Sequence, residues 1–373
     1  MKPSSETPAP DAAGTQANAL PEQSAALSPQ REVPRRIWLD PILIAGVALS
    51  AFLTWLALRN IPLSELTEAF RSMNQSVLLP AIALTYIIMW LRALRWRLLL
   101  LAVGNASRSQ AFNSSVIGYM VNYIIPVRIG ELVRAYLVAT QDGFSRSSAF
   151  ATVVVERLVD VFCVLLIFAG VSIAMDFSGV SSQIQAGIRS SALGFLVVGT
   201  LVIIGLWALR RHRNLLIRKL QSGKTRWHPL IGQQAWRIGV FADGIVFPKS
   251  SRLRLWFLCQ TVAIWITTVG QVWILLDGFY FSLPWEASWL MLVALAVGVS
   301  LPSAPGLIGT FHYAIILVLR GFGVVGADAV SYAIVLHAVS VLPILALGIV
   351  MVWHKGLSFR ELIRVRHSGP EAP

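Results

Sequence analysis

Charged side chains occur in two stretches whose neighbours are strongly apolar. The first stretch is N-Y-I-I-P-V-R-I-G-E-L-V-R-A at 122–135, and the second is A-T-V-V-V-E-R-L-V-D at 151–160. Inside a membrane an ionisable group costs about 2.5–3.5 kcal/mol unless it is paired or hydrated, so such groups usually mark a functional path. These two stretches are therefore the candidate binding elements of the chain.

Anion binding is the chemistry that the first stretch could perform. Pro126 and, much later in the chain, Pro305 each stand just ahead of a predicted half-helix, and proline is favoured at a helix start. The unpaired N–H groups of a helix start carry about half a positive charge and suit phosphate. Arg128 stands in the break itself and would add a charge-assisted contact, so we favour binding of an anionic headgroup over the alternative, a buried ion pair with Glu131 or Glu156.

The remaining charged residues allow two interpretations. Glu131 can reach Arg134 three residues later, and Glu156 and Asp160 share one helix face with Arg157 beside them. These groups either contact the headgroup or form a buried ion-pair network that holds the break in place, and the sequence leaves both open. The predicted substrate-binding residues are Arg128, Glu131, Arg134, Glu156, Arg157, Asp160, Asn122, Pro126, Gly130, Pro305, Gly306 and His312.

Two further features, a set of glycines and a pair of histidines, have simpler interpretations. Gly130, Gly306 and Gly309 favour close helix packing over ligand contact. His312 and His337 each stand alone in an apolar helix, so we expect satisfied buried histidines rather than titrating ones.

An arginine-rich stretch, W-L-R-A-L-R-W-R, ends the second apolar segment at 90–97. Arg92, Arg95 and Arg97 lie beside Trp90 and Trp96, which is typical of an interfacial belt with snorkelling arginines. The alternative is an arginine cluster that contacts headgroups. We favour the belt.

The composition defines the class of protein. The chain has 373 residues, of which 56% are hydrophobic and 13% are charged, whereas a soluble domain carries about a quarter charged residues. The fold class is therefore an all-α polytopic membrane protein. Residues 210–254 contain eleven Lys or Arg and one acid, Asp243, so the net charge of +13 indicates orientation, with this loop in the cytosol, and not nucleic-acid binding.

The apolar segments predict six full spans and two broken ones. The full spans are 39–58, 77–101, 148–175, 192–209, 255–276 and 329–353. The broken segments, 110–140 and 287–320, consist of pieces shorter than the roughly 20 residues of a spanning helix. Interpreted as re-entrant helical hairpins, they give an inverted-topology repeat, an architecture of transporters. The alternative is eight ordinary spans with proline kinks.

This topology divides the chain into five parts. We expect a disordered cytosolic tail at 1–36, a first membrane repeat at 37–209, a basic cytosolic loop with an interfacial helix at 210–254, a second membrane repeat at 255–353, and a cytosolic tail at 354–373. Both termini would lie in the cytosol, on the inner side of the cell membrane.

The motifs P-V-R-I-G-E-L-V-R, E-R-L-V-D and P-S-A-P-G-L-I-G-T-F together resemble the lysylphosphatidylglycerol synthase transmembrane region family, whose members are flippase-like membrane proteins. The resemblance extends from about residue 40 to residue 353. It implies that this chain corresponds to the family's membrane module and does not carry the soluble aminoacyl transferase domain of the larger members. The second motif departs from the family pattern, since His312 stands where glutamate is common. The resemblance implies lipid handling, because relatives move aminoacylated or glycosylated lipids.

These observations lead to one main hypothesis and two alternatives. The main hypothesis is a translocase for a lipid or lipid-linked headgroup, which is not an enzyme and needs no cofactor or metal. No G-x-x-x-x-G-K-[ST] nucleotide-binding motif occurs in the sequence. The alternatives are a membrane-embedded lipid headgroup transferase and a non-transporting partner of a lipid-modifying enzyme. The expected partners are anionic lipids, with a lipid-modifying enzyme and a second copy of the chain as candidates.

Overall fold

The structure is a computed structural model of the whole chain. It describes residues 41–59, 62–125, 129–142, 145–174, 186–187, 189–202, 204–205, 208, 211, 247–301 and 303–356. Within these residues there are helices and turns and no strand. The helices are α1 Pro41–Leu58, α2 Leu63–Ser72, α3 Leu78–Val103, α4 Arg108–Ile124, α5 Gly130–Asp142, α6 Arg146–Ala174, α7 Arg189–Val202, α8 Ser251–Gly278, α9 Trp285–Ser300, α10 Thr310–Gly321 and α11 Gly326–His354.

Four of the described helices are long and apolar enough to cross a membrane, and they are α3, α6, α8 and α11. They coincide with the predicted spans at 77–101, 148–175, 255–276 and 329–353, so the prediction of an all-helical chain with several apolar spans is confirmed. Helices α1 and α7 occupy the positions of the other two predicted spans. The predicted tail at 1–36, most of the predicted tail at 354–373 and most of the basic loop lie outside the described residues.

The two broken segments each form a pair of short helices. Helix α4 has 17 residues, α5 has 13, α9 has 16 and α10 has 12. At 1.5 Å per residue the longest of them covers about 26 Å, less than the ~30 Å hydrocarbon core. Ile125, which ends α4, is extended (φ −103°, ψ 125°), as expected of a residue that precedes a proline. Residues 126–128, the predicted break, lie outside the described part.

The short helix pairs lie in the middle of the helix packing. Helix α4 packs against α3, α5 and α11, and α9 packs against α6, α8 and α10. Helix α10 also contacts α1 and α11, while α2 lies against α11. Each pair therefore packs against three of the long helices.

A turn at Pro305–Leu307 separates α9 from α10. It is a single turn of 3-10 helix with Pro305 at its start, and α10 begins only at Thr310. Pro305 therefore begins this turn. The sequence predicted that Pro305 stands directly ahead of the helix, but α10 begins only after the turn. The turn packs against α4, which brings parts of the two broken segments into contact.

Candidate functional site

A buried cluster of arginines and carboxylates joins α3, α5 and α6. Its centre is Arg95, which is fully buried. One guanidinium nitrogen of Arg95 donates to Glu156 Oε1 at 3.0 Å, and the other lies 2.7 Å from Asp160 Oδ1. Because the two carboxylates are four residues apart on α6, one arginine from α3 contacts both of them. Asp160 is the middle residue of α6, so the cluster lies deep within the helix packing.

Arg134 on α5 provides the second cation of the buried cluster. Its guanidinium lies 2.7 Å from Glu156 Oε2 and 4.8 Å from the centre of the Trp96 ring. Arg134 therefore pairs with Glu156 on α6. The sequence predicted a pair with Glu131, which lies on the same helix as Arg134. None of the guanidinium nitrogens of Arg134 has a partner with hydrogen-bond geometry. The contact with Glu156 is therefore an ion pair, and the N–H donors of Arg134 remain without hydrogen-bond acceptors.

Arg92 and Arg157 form the exposed side of the cluster around Tyr119. The Tyr119 hydroxyl oxygen accepts from Arg92 at 3.1 Å and from Arg157 at 2.9 Å. Both guanidinium groups approach Asp160, but only to 3.9 and 3.6 Å. Their side chains are 19% and 33% exposed. These two arginines are therefore the accessible cations of the cluster, and their carboxylate contacts are looser than those of Arg95.

Asn122 connects the two helices of the first broken segment. Its side-chain oxygen accepts from the Gly130 N–H at 2.7 Å, and its amide nitrogen donates to Glu131 Oε2 at 3.0 Å. Asn122 thus satisfies an N–H at the start of α5 and places a carboxylate beside the arginines.

A cavity of about 610 Å³ opens beside Arg92 and Arg157. The polar side chains that line it near the cluster are Arg92, Tyr119, Asn122, Glu131, Arg157 and Asp160. Further away the wall is mostly apolar, with Trp265, Leu292, Val297, Phe311 and Ile344, but it also includes threonine, serine and glutamine side chains. A cavity that is charged at one end and mostly apolar along its walls suits an amphiphile.

The charges of the cluster favour an anionic guest. Its described members are four arginines and the three carboxylates Glu131, Glu156 and Asp160, which leaves one positive charge in excess. Buried nitrogens of Arg95, Arg134 and Arg157 also lack hydrogen-bond partners. Arginine binds phosphate and carboxylate groups through paired N–H donors, so the site can hold an anionic headgroup. Within the described residues no group of three or more His, Cys, Asp or Glu side chains is placed to hold a metal ion.

The structure brings most of the predicted site residues together. Asn122, Gly130, Glu131, Arg134, Glu156, Arg157 and Asp160 belong to or adjoin the cluster, while Pro305, Gly306 and His312 lie at the second broken segment. Pro126 and Arg128 lie outside the described residues, so their roles remain predictions. Substrate binding by these residues also remains a prediction.

One interpretation of the sequence was wrong. Arg95 is buried in ion pairs and Arg92 lines the cavity, so these two arginines do not form an interfacial belt. His312 and His337 lie on different helices with their ring centres 4.7 Å apart, and His337 Nε2 donates to Gly306 O at 2.6 Å, as expected of a satisfied buried histidine. Arg92, Arg95 and Tyr119 were not among the predicted site residues, although a headgroup-contacting arginine cluster was the alternative interpretation of Arg92 and Arg95. The position of Arg95 eight residues before the end of α3 was a usable signal, since at ~1.5 Å per residue it lies about 12 Å inside the helix.

The crossing of α4 and α5 requires glycine. A Cβ added to Gly130 would collide with the carbonyl oxygen of Gly118 on α4 and with the Asn122 side chain. We predict that Gly130→Ala separates the two helices and lowers the unfolding free energy by about 1–3 kcal/mol, measured by detergent-induced unfolding. Gly170→Ala on α6 is the matched control, since nothing lies within 4 Å of its added Cβ. Equal stability of both variants would contradict the close crossing.

Most of the chain is similar to known membrane proteins. Residues 43–348 match the lysylphosphatidylglycerol synthase TM region. A UPF0104 membrane protein from Methanothermobacter thermautotrophicus is 25% identical over 346 residues, which cover 86% of this chain and 96% of that protein. Glycosyltransferase AglD from Haloferax volcanii is 24% identical over 338 residues, which cover 83% of this chain and 54% of that protein. The chain thus spans about half of AglD. No solved structure matches the chain significantly.

Proposed function

The chain belongs to the lysylphosphatidylglycerol synthase TM region family of multi-pass membrane proteins, and from this premise we propose that it moves a lipid with a phosphate-bearing headgroup across the cell membrane. The observation that carries the proposal is the cavity beside Arg92 and Arg157. It offers accessible guanidinium groups at one end and a mostly apolar wall elsewhere. A translocase needs this combination, because it must shield a polar headgroup while the acyl chains remain in an apolar environment.

Distances within the cluster suggest how it could bind and release a headgroup. Asp160 is held by Arg95 at 2.7 Å, while Arg157 approaches it only to 3.6 Å. A phosphate could therefore take the N–H donors of Arg92 and Arg157 without leaving Asp160 unpaired. Glu156 remains neutralised by Arg95 and Arg134 throughout. In this mechanism the inner pairs position the site, and the outer arginines exchange between Tyr119 and the ligand.

The proposal includes an inverted repeat in which the two short helix pairs are re-entrant hairpins. Each repeat has the order span, span, hairpin, span. The first repeat consists of α1, α3, α4–α5 and α6, and the second consists of α7, α8, α9–α10 and α11. The insufficient length of the short helices and the contact between α4 and the 305–307 turn support it. Inverted repeats with broken helices that meet near the middle of the membrane are typical of transporters.

This topology predicts the sides from which introduced cysteines can be labelled. In a variant without Cys163 and Cys259, a cysteine at Gly326 should react with a membrane-impermeant thiol reagent added outside intact cells. A cysteine at Ser222, in the basic loop, should react only after the membrane is opened. External labelling at Ser222 would contradict the orientation of both repeats.

Reconstitution into liposomes separates this function from its two alternatives. Labelled phospholipid that changes leaflet without chemical change supports a translocase, and a modified lipid on chromatography supports a headgroup transferase. If neither outcome is seen and a lipid-modifying enzyme is retained on the purified protein, the result supports a non-transporting partner. Mass spectrometry of lipids that co-purify with the protein would identify the lipid to label. Such a lipid without any phosphate or other anionic group would contradict the proposal.

A further inference from the structure

A second cavity lies between α1 and the turn that precedes α10. It is a groove of about 700 Å³. Its walls are largely apolar and include Val47, Thr54, Trp55, Leu58, Pro305 and Ile308. Arg59 lines one end, with its guanidinium carbon 5.2 Å from the centre of the Trp55 ring. From Val47 to Arg59 the groove follows ~18 Å of helix, which is close to one leaflet's half of the ~30 Å hydrocarbon core.

One short segment, residues 304–308, borders both cavities. Leu307 lines the cavity beside the arginine cluster, whereas Ala304, Pro305 and Ile308 line the groove beside α1. The segment is therefore a wall between the two cavities.

One residue of this wall, Leu307, has an uncommon backbone conformation, and a few contacts hold the segment in place. Gly306, Leu307 and Gly309 have φ values of 73°, 62° and 88°, and a positive φ is uncommon for leucine. The Ala304 N–H donates to Ser50 Oγ on α1 at 2.7 Å. Gly306 O accepts from His337 Nε2 on α11 at 2.6 Å. Two hydrogen bonds thus fasten the segment from opposite sides, and strained segments of this kind often belong to moving parts.

We propose that residues 304–308 form a gate between two lipid sites, and that the α1 groove is the second site. Its occupant is a phospholipid, with an acyl chain along the apolar wall and its phosphate near Arg59. The groove repeats the character of the first cavity, since both are mostly apolar along the wall and carry arginine at one end. Opening requires the Ser50 and His337 hydrogen bonds to break. The gate rests on the proposed translocase function.

A reversible cross-link tests the gate. Ser50→Cys and Ala304→Cys are combined in a variant whose Cys163 and Cys259 are replaced by alanine. A short bis-methanethiosulfonate reagent joins the pair, because it forms a disulfide with each cysteine and releases methanesulfinate, and reductant cleaves the link. We expect the linked protein to move fluorescent phosphatidylglycerol at least tenfold more slowly than the reduced protein. Binding of the same lipid at the arginine cluster should be unchanged, and reductant should restore movement.

The outcomes distinguish the gate from the proposed function. Equal transport by the linked and reduced proteins would overturn the gate and leave the translocase function intact. Loss of both transport and binding on linking would also overturn the gate, because the segment would then be part of the headgroup site. A reduced protein that binds lipid but never moves it would contradict the translocase function, and the gate with it.

The groove is tested separately by lipid labelling. A phosphatidylglycerol with a photoactivatable group in its acyl chain should label the peptide that contains residues 47–59 more strongly than the lipid-facing peptide around Leu258 on α8, which is exposed. Arg59→Gln and the groove-filling Thr54→Trp should reduce the excess at least threefold. Labelling equal to that around Leu258, or unaffected by both variants, would overturn the second site.

Discussion

Replacing Glu156 with glutamine is expected to lower the free energy of unfolding by about 3–5 kcal/mol, the usual result of removing one partner from a buried ion pair. Glu156 is fully buried and contacts Arg95 at 3.0 Å and Arg134 at 2.7 Å. Without its charge, Arg134 loses its described ionic partner in an environment where water cannot solvate it. Unfolding of the purified protein by sodium dodecyl sulfate in mixed micelles provides the measurement.

Two further variants test the cause of this loss. The double variant Glu156→Gln with Arg134→Gln should recover part of the stability, because it removes the cation together with its partner. Glu65→Gln is the control, since Glu65 is exposed on α2 and should change the stability by less than about 0.5 kcal/mol. A Glu156→Gln protein as stable as this control would contradict the buried ion-pair network.

Replacing Arg157 with glutamine should reduce lipid movement at least tenfold while the protein remains folded. Arg157 lines the cavity with a third of its side chain exposed, and its carboxylate contacts are 3.6 Å or longer. Its removal leaves Glu156 and Asp160 paired with Arg95, so the stability should change little. Arg157→Lys should restore only part of the rate, because an ammonium group lacks the paired donors of guanidinium.

The matched control for Arg157 is Arg71→Gln, at an exposed position on α2 away from the cavity. Rates are measured in liposomes from the protection of a fluorescent phospholipid against an impermeant reductant. Normal transport by Arg157→Gln would show that the accessible arginine does not contact the headgroup. Unfolding of that variant would assign Arg157 to the structural network.

Local patterns in the sequence were sufficient for the helices and for half of the cluster. Apolar runs of spanning length predicted α3, α6, α8 and α11, because the thickness of a bilayer sets the length of a spanning helix. The four-residue spacing of Glu156 and Asp160 correctly placed both carboxylates on one face. The positions of the breaks were visible in the glycines and prolines around them.

Contacts between distant parts of the chain could not be predicted in the same way. Arg95 and Glu156 are 61 residues apart, and no local pattern indicates that α3 and α6 meet there. The flanking tryptophans made Arg92 and Arg95 resemble residues of an interfacial belt. Tyr119 gave no signal at all, because its role depends on two arginines that come from different helices.

The most direct test of the account compares two lipids in one reconstituted system. The rate of movement between leaflets is measured for fluorescent phosphatidylglycerol and for a fluorescent diacylglycerol glycoside that has the same acyl chains and no phosphate. The arginine site predicts that the phosphate-bearing lipid moves at least tenfold faster and that this preference disappears in Arg157→Gln. Equal rates for the two lipids, or no movement of either, would contradict the proposal that the arginine site binds the phosphate of a transported lipid.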